Sequence, residues 1–103
     1  MKSTPENLRW FSKNLKTIKE TFSINEPIPE TLPAFSIFIQ FFDTKEEFNN
    51  LKNWEGTPWE DSPNVYAELS ELPGCVAEID GKFLFVDHQV YEMYLDEIMA
   101  MVN

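Results

Sequence analysis

The sequence predicts a small α+β fold in which an antiparallel sheet of three to four strands packs with an N-terminal and a C-terminal helix. Two observations predict this fold. Apolar residues recur at helical spacing near each end of the chain, and between them two β-rich runs flank Asp80-Gly81. At 103 residues the chain can build one hydrophobic core, so we expect a single domain over 1–103. Aromatic residues make up 15% of the chain and supply much of the apolar area for that core.

The first predicted element is a helix over residues 5–22. Thr4 is a good N-cap, Pro5 fits the first helical position, and Glu6 complements the positive end of the helix dipole. Its apolar stripe consists of Leu8, Phe11, Leu15, Ile18 and Phe22. Trp10 projects away from this stripe.

A proline-rich connection separates this helix from the first strand. Residues 23–34 contain three prolines, each of which removes a backbone donor, so we expect an extended connection that can act as a hinge. Residues 35–42, with the sequence FSIFIQFF, are almost wholly apolar. That composition is typical of an interior strand covered on both faces.

The middle of the chain predicts a short helix and a turn-rich loop. Thr44 and Glu47 have the spacing of a capping box, which predicts a helix over residues 44–53. Phe48 and Leu51 form its apolar face. Residues 54–64 are rich in turn formers and predict a loop.

The segment that follows, residues 65–72, fits two patterns. Val65, Ala67 and Leu69 alternate as in a strand, and we favour a strand over 65–70 because it would continue into a meander. The same segment also fits a helix that begins after Ser62-Pro63.

A β-hairpin over residues 75–86 is the clearest local prediction. Strands at 75–79 and 82–86 are joined by Asp80-Gly81, which favours a two-residue type I′ turn. In this register Ile79 faces Lys82 and Cys75 faces Val86. Asp87 then caps a final helix whose apolar stripe consists of Val90, Tyr94, Ile98 and Met101.

Charge is distributed unevenly over these elements. Residues 1–19 carry five basic residues and one acid, a local charge of +4, whereas residues 20–103 carry −14. The domain therefore divides into a basic N-terminal helix 5–22, the connection 23–34 and an acidic α+β body 35–103. Such a body repels phosphates and anionic membranes, so we expect no direct nucleic-acid or membrane binding and instead a basic or nucleic-acid-binding protein partner. Alternatively, the acidity only keeps an aromatic-rich domain in solution.

The composition gives no catalytic, metal or cofactor signature. The three glycines lie far apart, which excludes the dinucleotide and phosphate-binding loops that need clustered glycines. The chain has one cysteine, Cys75, and one histidine, His88, and their spacing matches no known zinc-binding motif. A thiolate–imidazole pair between them requires that His88 stay on the hairpin face, whereas the turn at Asp87 redirects it. We therefore expect neither an enzyme nor a cofactor.

Localisation follows from the absence of targeting signals. The chain has no apolar signal region near its start, no stretch of roughly 18 apolar residues, and a single cysteine. These features predict a cytoplasmic protein.

The best candidate for a binding surface is the loop between Trp54 and Tyr66, where aromatic residues alternate with carboxylates. Such a surface suits an Arg- or Lys-rich partner. The predicted partner-binding residues are Glu55, Trp59, Glu60, Asp61 and Tyr66, together with Glu92 and Asp96 on the outer face of the last helix. In the alternative interpretation, the two tryptophans of the loop pin it to the core; Trp54 suits that role and Trp59 suits exposure.

These features together predict a small acidic inhibitor that binds another protein. It would occlude a basic surface, as a toxin-neutralising immunity protein or a phage-encoded blocker of a nucleic-acid-handling protein would. The alternative is a regulatory adaptor or oligomeric accessory protein that binds through apolar surface. A homodimer through the N-terminal helix, using Trp10 and the flank of Arg9, Lys13 and Lys16, is a further prediction.

Overall fold

A computed structural model describes residues 4–28 and 38–102 of the chain. It has the predicted α+β class, with a three-stranded antiparallel sheet. Helices come before the first strand, between the first and second strands, and after the last strand along the chain. Predictions for residues 29–37, which cover part of the connection and the start of the first strand, lie outside the described residues. The elements are α1 (Pro5–Thr21), β1 (Ile39–Phe42), α2 (Lys45–Asn49), a 3-10 helix (Leu51–Trp54), α3 (Val65–Leu69), β2 (Val76–Ile79), β3 (Lys82–Val86), α4 (His88–Met93) and α5 (Leu95–Val102).

Helix α1 is part of the core, not a separate basic arm. The Thr4 hydroxyl accepts a hydrogen bond from the Asn7 N–H at 3.2 Å, as a capping threonine should. The side chains of Phe11 and Ile18 are fully buried in the same cluster as residues of the sheet. The helix is thus held to the acidic body by buried apolar contacts, and the expectation of a hinge between them is wrong for α1.

Trp10 also packs inward, contrary to its position off the apolar stripe. Its ring stacks on Phe41, with 5.1 Å between the ring centroids and 27° between their planes. The Lys82 ammonium lies 5.7 Å from the centroid of the Trp10 ring and also forms an ion pair with the Asp43 carboxylate. Trp10 is therefore engaged within its own chain, and it is not the exposed interface residue that the sequence predicted.

The sheet has the order β1-β3-β2, and the hairpin forms as predicted. Ile79 pairs with Lys82, and the Val86 N–H donates to the Cys75 carbonyl at 2.8 Å. Asp80 and Gly81 both have positive φ, 48° and 80°, which is the backbone of a type I′ turn. This turn matches the right-handed twist of the strands that it joins.

Residues 65–70 do not form a strand. Val65–Leu69 form helix α3 with Ser70 as its C-cap, and its N-cap is Asn64, whose side chain accepts from the Ala67 N–H at 3.2 Å. Val65 and Leu69 are four residues apart and both fully buried, so a helix places them on one face. The prediction of a strand was wrong because the apolar residues of this short segment fit both the two-residue repeat of a strand and the 3.6-residue repeat of a helix.

Two further helices are interrupted where the sequence predicts continuity. The predicted helix 44–53 breaks at Asn50 into α2 and the 3-10 helix. The final helix begins on Asp87, whose carboxylate accepts from the Val90 N–H at 3.0 Å, but breaks at Tyr94. Tyr94, which was predicted to lie on the apolar stripe, is 41% exposed. Tyr91 is buried in the core instead. The side chain of Met101 lies outside the described part of the chain.

Buried side chains fall into two clusters, one on each face of the sheet. Because strand residues alternate between faces, Leu84 and Val86 of β3 belong to the first cluster and Phe85 to the second. Helices α1, α4 and α5 contribute to the first cluster through Phe11, Ile18, Tyr91 and Ile98. Helix α2, the 3-10 helix and α3 contribute to the second through Phe48, Trp54, Val65 and Leu69. The sheet is therefore the middle of three layers, and β1 has apolar neighbours on both faces as predicted. It is nevertheless an edge strand in the order β1-β3-β2, so the prediction of an interior strand is wrong.

Candidate functional site

The turn-rich segment of residues 54–64, here called the acidic loop, begins at a buried anchor. The Trp54 side chain is 1% exposed, and its indole N–H donates to the Phe48 carbonyl. Its ring meets Phe85 of the sheet edge-on, with 5.3 Å between the centroids. Trp54 therefore pins the loop to the second core cluster.

Hydrogen bonds within the acidic loop hold its backbone in one conformation. The Thr57 hydroxyl donates to the Trp54 carbonyl, and the Trp59 N–H donates to the Thr57 hydroxyl at 3.3 Å. The Gly56 N–H donates to a carboxylate oxygen of Glu60 at 3.1 Å. Gly56 itself has a φ of 81°, which suits a residue without a side chain. A loop that is ordered before it binds loses less entropy on binding.

Three of the predicted site residues meet in a surface depression of about 350 Å³. The depression is lined by Leu51, Lys52, Glu55, Glu60 and Asp61. Its three carboxylates outnumber its one cation, and Leu51 adds an apolar patch because its side chain is 46% exposed. The depression therefore offers both negative charge and an apolar surface at one place.

Leu51 is the part of this site that sequence reasoning missed. Its spacing from Phe48 predicts burial, but the break at Asn50 turns it outward. Asn50 carries a local signal for that break, since its side chain accepts from the Lys52 N–H at 2.9 Å and starts a new turn.

The two aromatic residues predicted to bind a partner are half-buried. Trp59 packs against the second core cluster. Tyr66 meets Phe48 and Phe83 edge-on, with centroid distances of 5.5 and 5.7 Å. The Lys45 ammonium lies 4.8 Å from the centroid of the Tyr66 ring. Tyr66 is therefore already in contact with a cation of its own chain.

Glu92 and Asp96 are exposed, but the fold does not bring them to the acidic loop. They lie on α4 and α5, which pack on the first core cluster, whereas the acidic loop packs on the second. The predicted site residues thus form two surfaces on opposite faces of the sheet.

Among the described residues, Cys75 and His88 are not joined by a hydrogen bond. Burial, and then the nearby Asp87 carboxylate, raise the pKa of the Cys75 thiol, so the protonated form is favoured. The His88 ring nitrogen Nε2 lies 3.2 Å from the Gly74 carbonyl and is engaged there. Within residues 4–28 and 38–102, no three His, Cys, Asp or Glu side chains are grouped to hold a metal ion. In the same ranges, no helix is long and apolar enough to cross a membrane.

Comparisons of the chain with protein-family models, curated proteins and solved structures gave no match. A function is therefore inferred from the geometry of the chain itself.

Proposed function

We propose that this chain is a cytoplasmic, non-catalytic inhibitor that binds and occludes the basic surface of a nucleic-acid-handling protein. A toxin-neutralising immunity protein and a phage-encoded blocker are both of this class. The observation that carries the proposal is the depression that Glu55, Glu60 and Asp61 line together with the exposed Leu51 and a single cation, Lys52. No cofactor takes part.

Arginine is the side chain that this depression suits best. A guanidinium group presents several N–H donors that match carboxylate oxygens, and its aliphatic stem can cover an apolar side chain such as Leu51. In the partner, the same arginine would otherwise contact phosphate. The three carboxylates would therefore take the place of phosphates.

The charge of the whole body supports the same mode of binding. Residues 20–103 carry a local charge of −14, which attracts a basic protein before contact is made. Association should accordingly be fast at low ionic strength and slower as salt screens the field.

The test compares two triple variants that remove equal charge. Glu55→Gln, Glu60→Gln and Asp61→Asn alter the depression, whereas Glu71→Gln, Glu78→Gln and Glu97→Gln alter exposed carboxylates elsewhere. The probes are an Arg-rich peptide and a Lys-rich peptide of equal length and charge, and binding is measured by calorimetry at low and high salt. We expect the wild type and the control to bind the Arg-rich peptide more tightly, and the depression variant to bind it roughly tenfold or more weakly.

Affinity capture from the native host then identifies the partner. The wild type and the control should retain the same basic or nucleic-acid-binding protein, and the depression variant should lose it. Equal binding by both triple variants, or capture of no basic protein, would contradict the proposal.

Exposed apolar side chains favour the second candidate, a regulatory adaptor or accessory protein. Met93 and Leu72 are 68% and 41% exposed. If such surface carries binding, raising the salt concentration should leave the affinity nearly unchanged. The two salt conditions of the same experiment therefore separate the two candidates.

A further inference from the structure

A groove of about 880 Å³ runs along the outer side of α1, away from the acidic loop. Ser12, Leu15, Lys16 and Lys19 line it, and their spacing of three and four residues places them on one face of the helix. Ile24 lies beyond the end of the helix and completes an apolar floor with Leu15. The groove, here called the basic groove, thus has an apolar floor with two lysines along it.

The lysines of the basic groove are available to a partner. Among the described residues, neither Lys16 nor Lys19 has a carboxylate within ion-pair distance, whereas Lys13 lies 3.9 Å from Asp80. Glu20 also lines the groove, but no described contact joins it to either lysine. The groove therefore suits an acidic surface with some apolar area.

An acidic surface of that kind lies directly beside the groove on the same chain. A second depression, of about 260 Å³, shares residues 23–25 with the basic groove. On its far side it is lined by Glu26, His88, Tyr91, Glu92 and Leu95. The Tyr91 hydroxyl donates to the Glu26 carboxylate at 3.1 Å, which fixes that acid in place. We call this surface the acidic neighbour.

We propose that two copies of this chain associate around a two-fold axis near residues 23–25. In a two-fold dimer, each copy presents the same patch, so a patch with adjacent positive and negative halves complements itself. Lys16 and Lys19 of each copy then face Glu26 and Glu92 of the other. The half-buried Leu15 and Leu95 supply the apolar contact between the charges, whereas Ile24 is buried in the core of its own chain.

This dimer shares Lys16 with the predicted dimer built on Trp10 and the flank of Arg9, Lys13 and Lys16, but it does not use Trp10, Arg9 or Lys13. Trp10 is covered by Phe41 and Lys82 of its own chain, and Lys13 already has a carboxylate nearby. The proposal is also independent of the inhibitor function, because the acidic loop lies on the other face of the sheet.

A charge-swap experiment tests the dimer. The variant K16E/K19E makes the whole patch acidic, and the variant E26K/E92K makes it basic. We expect the wild type to sediment at twice 12.1 kDa at low salt and each variant alone to be monomeric. Like charges in both halves should raise the dissociation constant by roughly 100-fold. An equimolar mixture of the two variants restores opposite charges at both contacts, so it should form a heterodimer.

The matched control is K45E/K52E, which makes the same change of charge on the other face of the sheet and should remain dimeric. If E26K/E92K fails to fold by circular dichroism, the pair K19E and E92K is used in its place. A wild type that stays monomeric over a concentration series, a dimeric K16E/K19E, a monomeric control, or folded variants that do not associate when mixed would each overturn the proposal. K16E/K19E and E26K/E92K change no residue of the acidic loop or its depression, so both should still bind the Arg-rich peptide at high salt, and failure of the dimer leaves the inhibitor proposal standing.

Discussion

At the scale of single residues, Tyr91 is the side chain whose chemistry the fold changes most. It is 6% exposed and lies against Phe38, with 4.8 Å between the ring centroids. Burial, and then the hydrogen bond and negative charge of Glu26, raise the pKa of Tyr91 from 10.0 to about 12. Each of these causes disfavours the tyrosinate anion.

The raised pKa predicts a loss of stability in alkali. A group with a higher pKa in the folded state binds its proton more tightly there, so its stabilising effect is complete below pH 10.0 and is lost as the pH rises to about 12. Glu26→Gln should lower the pKa of Tyr91, because the carboxylate charge is gone. The absorbance of tyrosinate as a function of pH measures the pKa. The control is Tyr91→Phe, in which the part of the titration curve that belongs to Tyr91 should be missing. An unchanged titration in Glu26→Gln would show that the carboxylate has no such effect.

At the scale of elements, the hairpin turn depends on one backbone conformation. Gly81 has a φ of 80°, and a Cβ placed on it would meet no atom within 4 Å. Any cost of a side chain there is therefore backbone strain and not a clash with neighbours.

Gly81→Ala should consequently destabilise the protein by about 1–2 kcal/mol. Urea unfolding followed by circular dichroism measures the change in the free energy of unfolding. Asp80→Asn is the matched control at the neighbouring position, because Asn also tolerates positive φ, and it should cost far less. Equal losses for the two variants would point to lost side-chain contacts and not to strain at Gly81.

Helix α3 shows why some elements could not be predicted from their own residues. Val65, Ala67 and Leu69 satisfy both periods, so local pattern does not choose between strand and helix. The Tyr66 N–H donates to the Asn49 side chain at 2.7 Å, and Leu69 packs in the same cluster as Phe48. These partners lie some twenty residues away in the chain, outside the reach of any short window.

At the scale of the whole molecule, the net charge of −10 opposes the compact state. Glu71 and Glu78 are exposed carboxylates outside both candidate surfaces. The double variant Glu71→Lys, Glu78→Lys replaces two negative charges by two positive ones, so it should raise the free energy of unfolding by about 0.5 kcal/mol at low ionic strength. Urea titrations at low and high salt measure the gain, which should shrink as salt screens the repulsion.

The neutral variant Glu71→Gln, Glu78→Gln is the control for this prediction. It makes half the change of charge and should give about half of the gain. A gain that is the same at both salt concentrations would mean that the substitutions act through local structure instead.

Features set by neighbours in the chain were predictable from the sequence alone. The hairpin register and the caps at Thr4 and Asp87 depend on residues a few positions apart. The acidic loop belongs to this group as well. Trp54, Glu55, Glu60 and Asp61 lie within eight positions of one another, so their clustering needed only a turn-rich segment between them.

Only the tertiary structure decided which side chains share a surface. It packed Trp10 against the sheet and placed Glu92 and Asp96 on the opposite face from Trp59. It also brought the lysines of α1 beside Glu26 and Glu92 across residues 23–25. Burial and surface charge depend on contacts between segments far apart in the chain, whereas turns and caps depend on hydrogen bonds within a few residues.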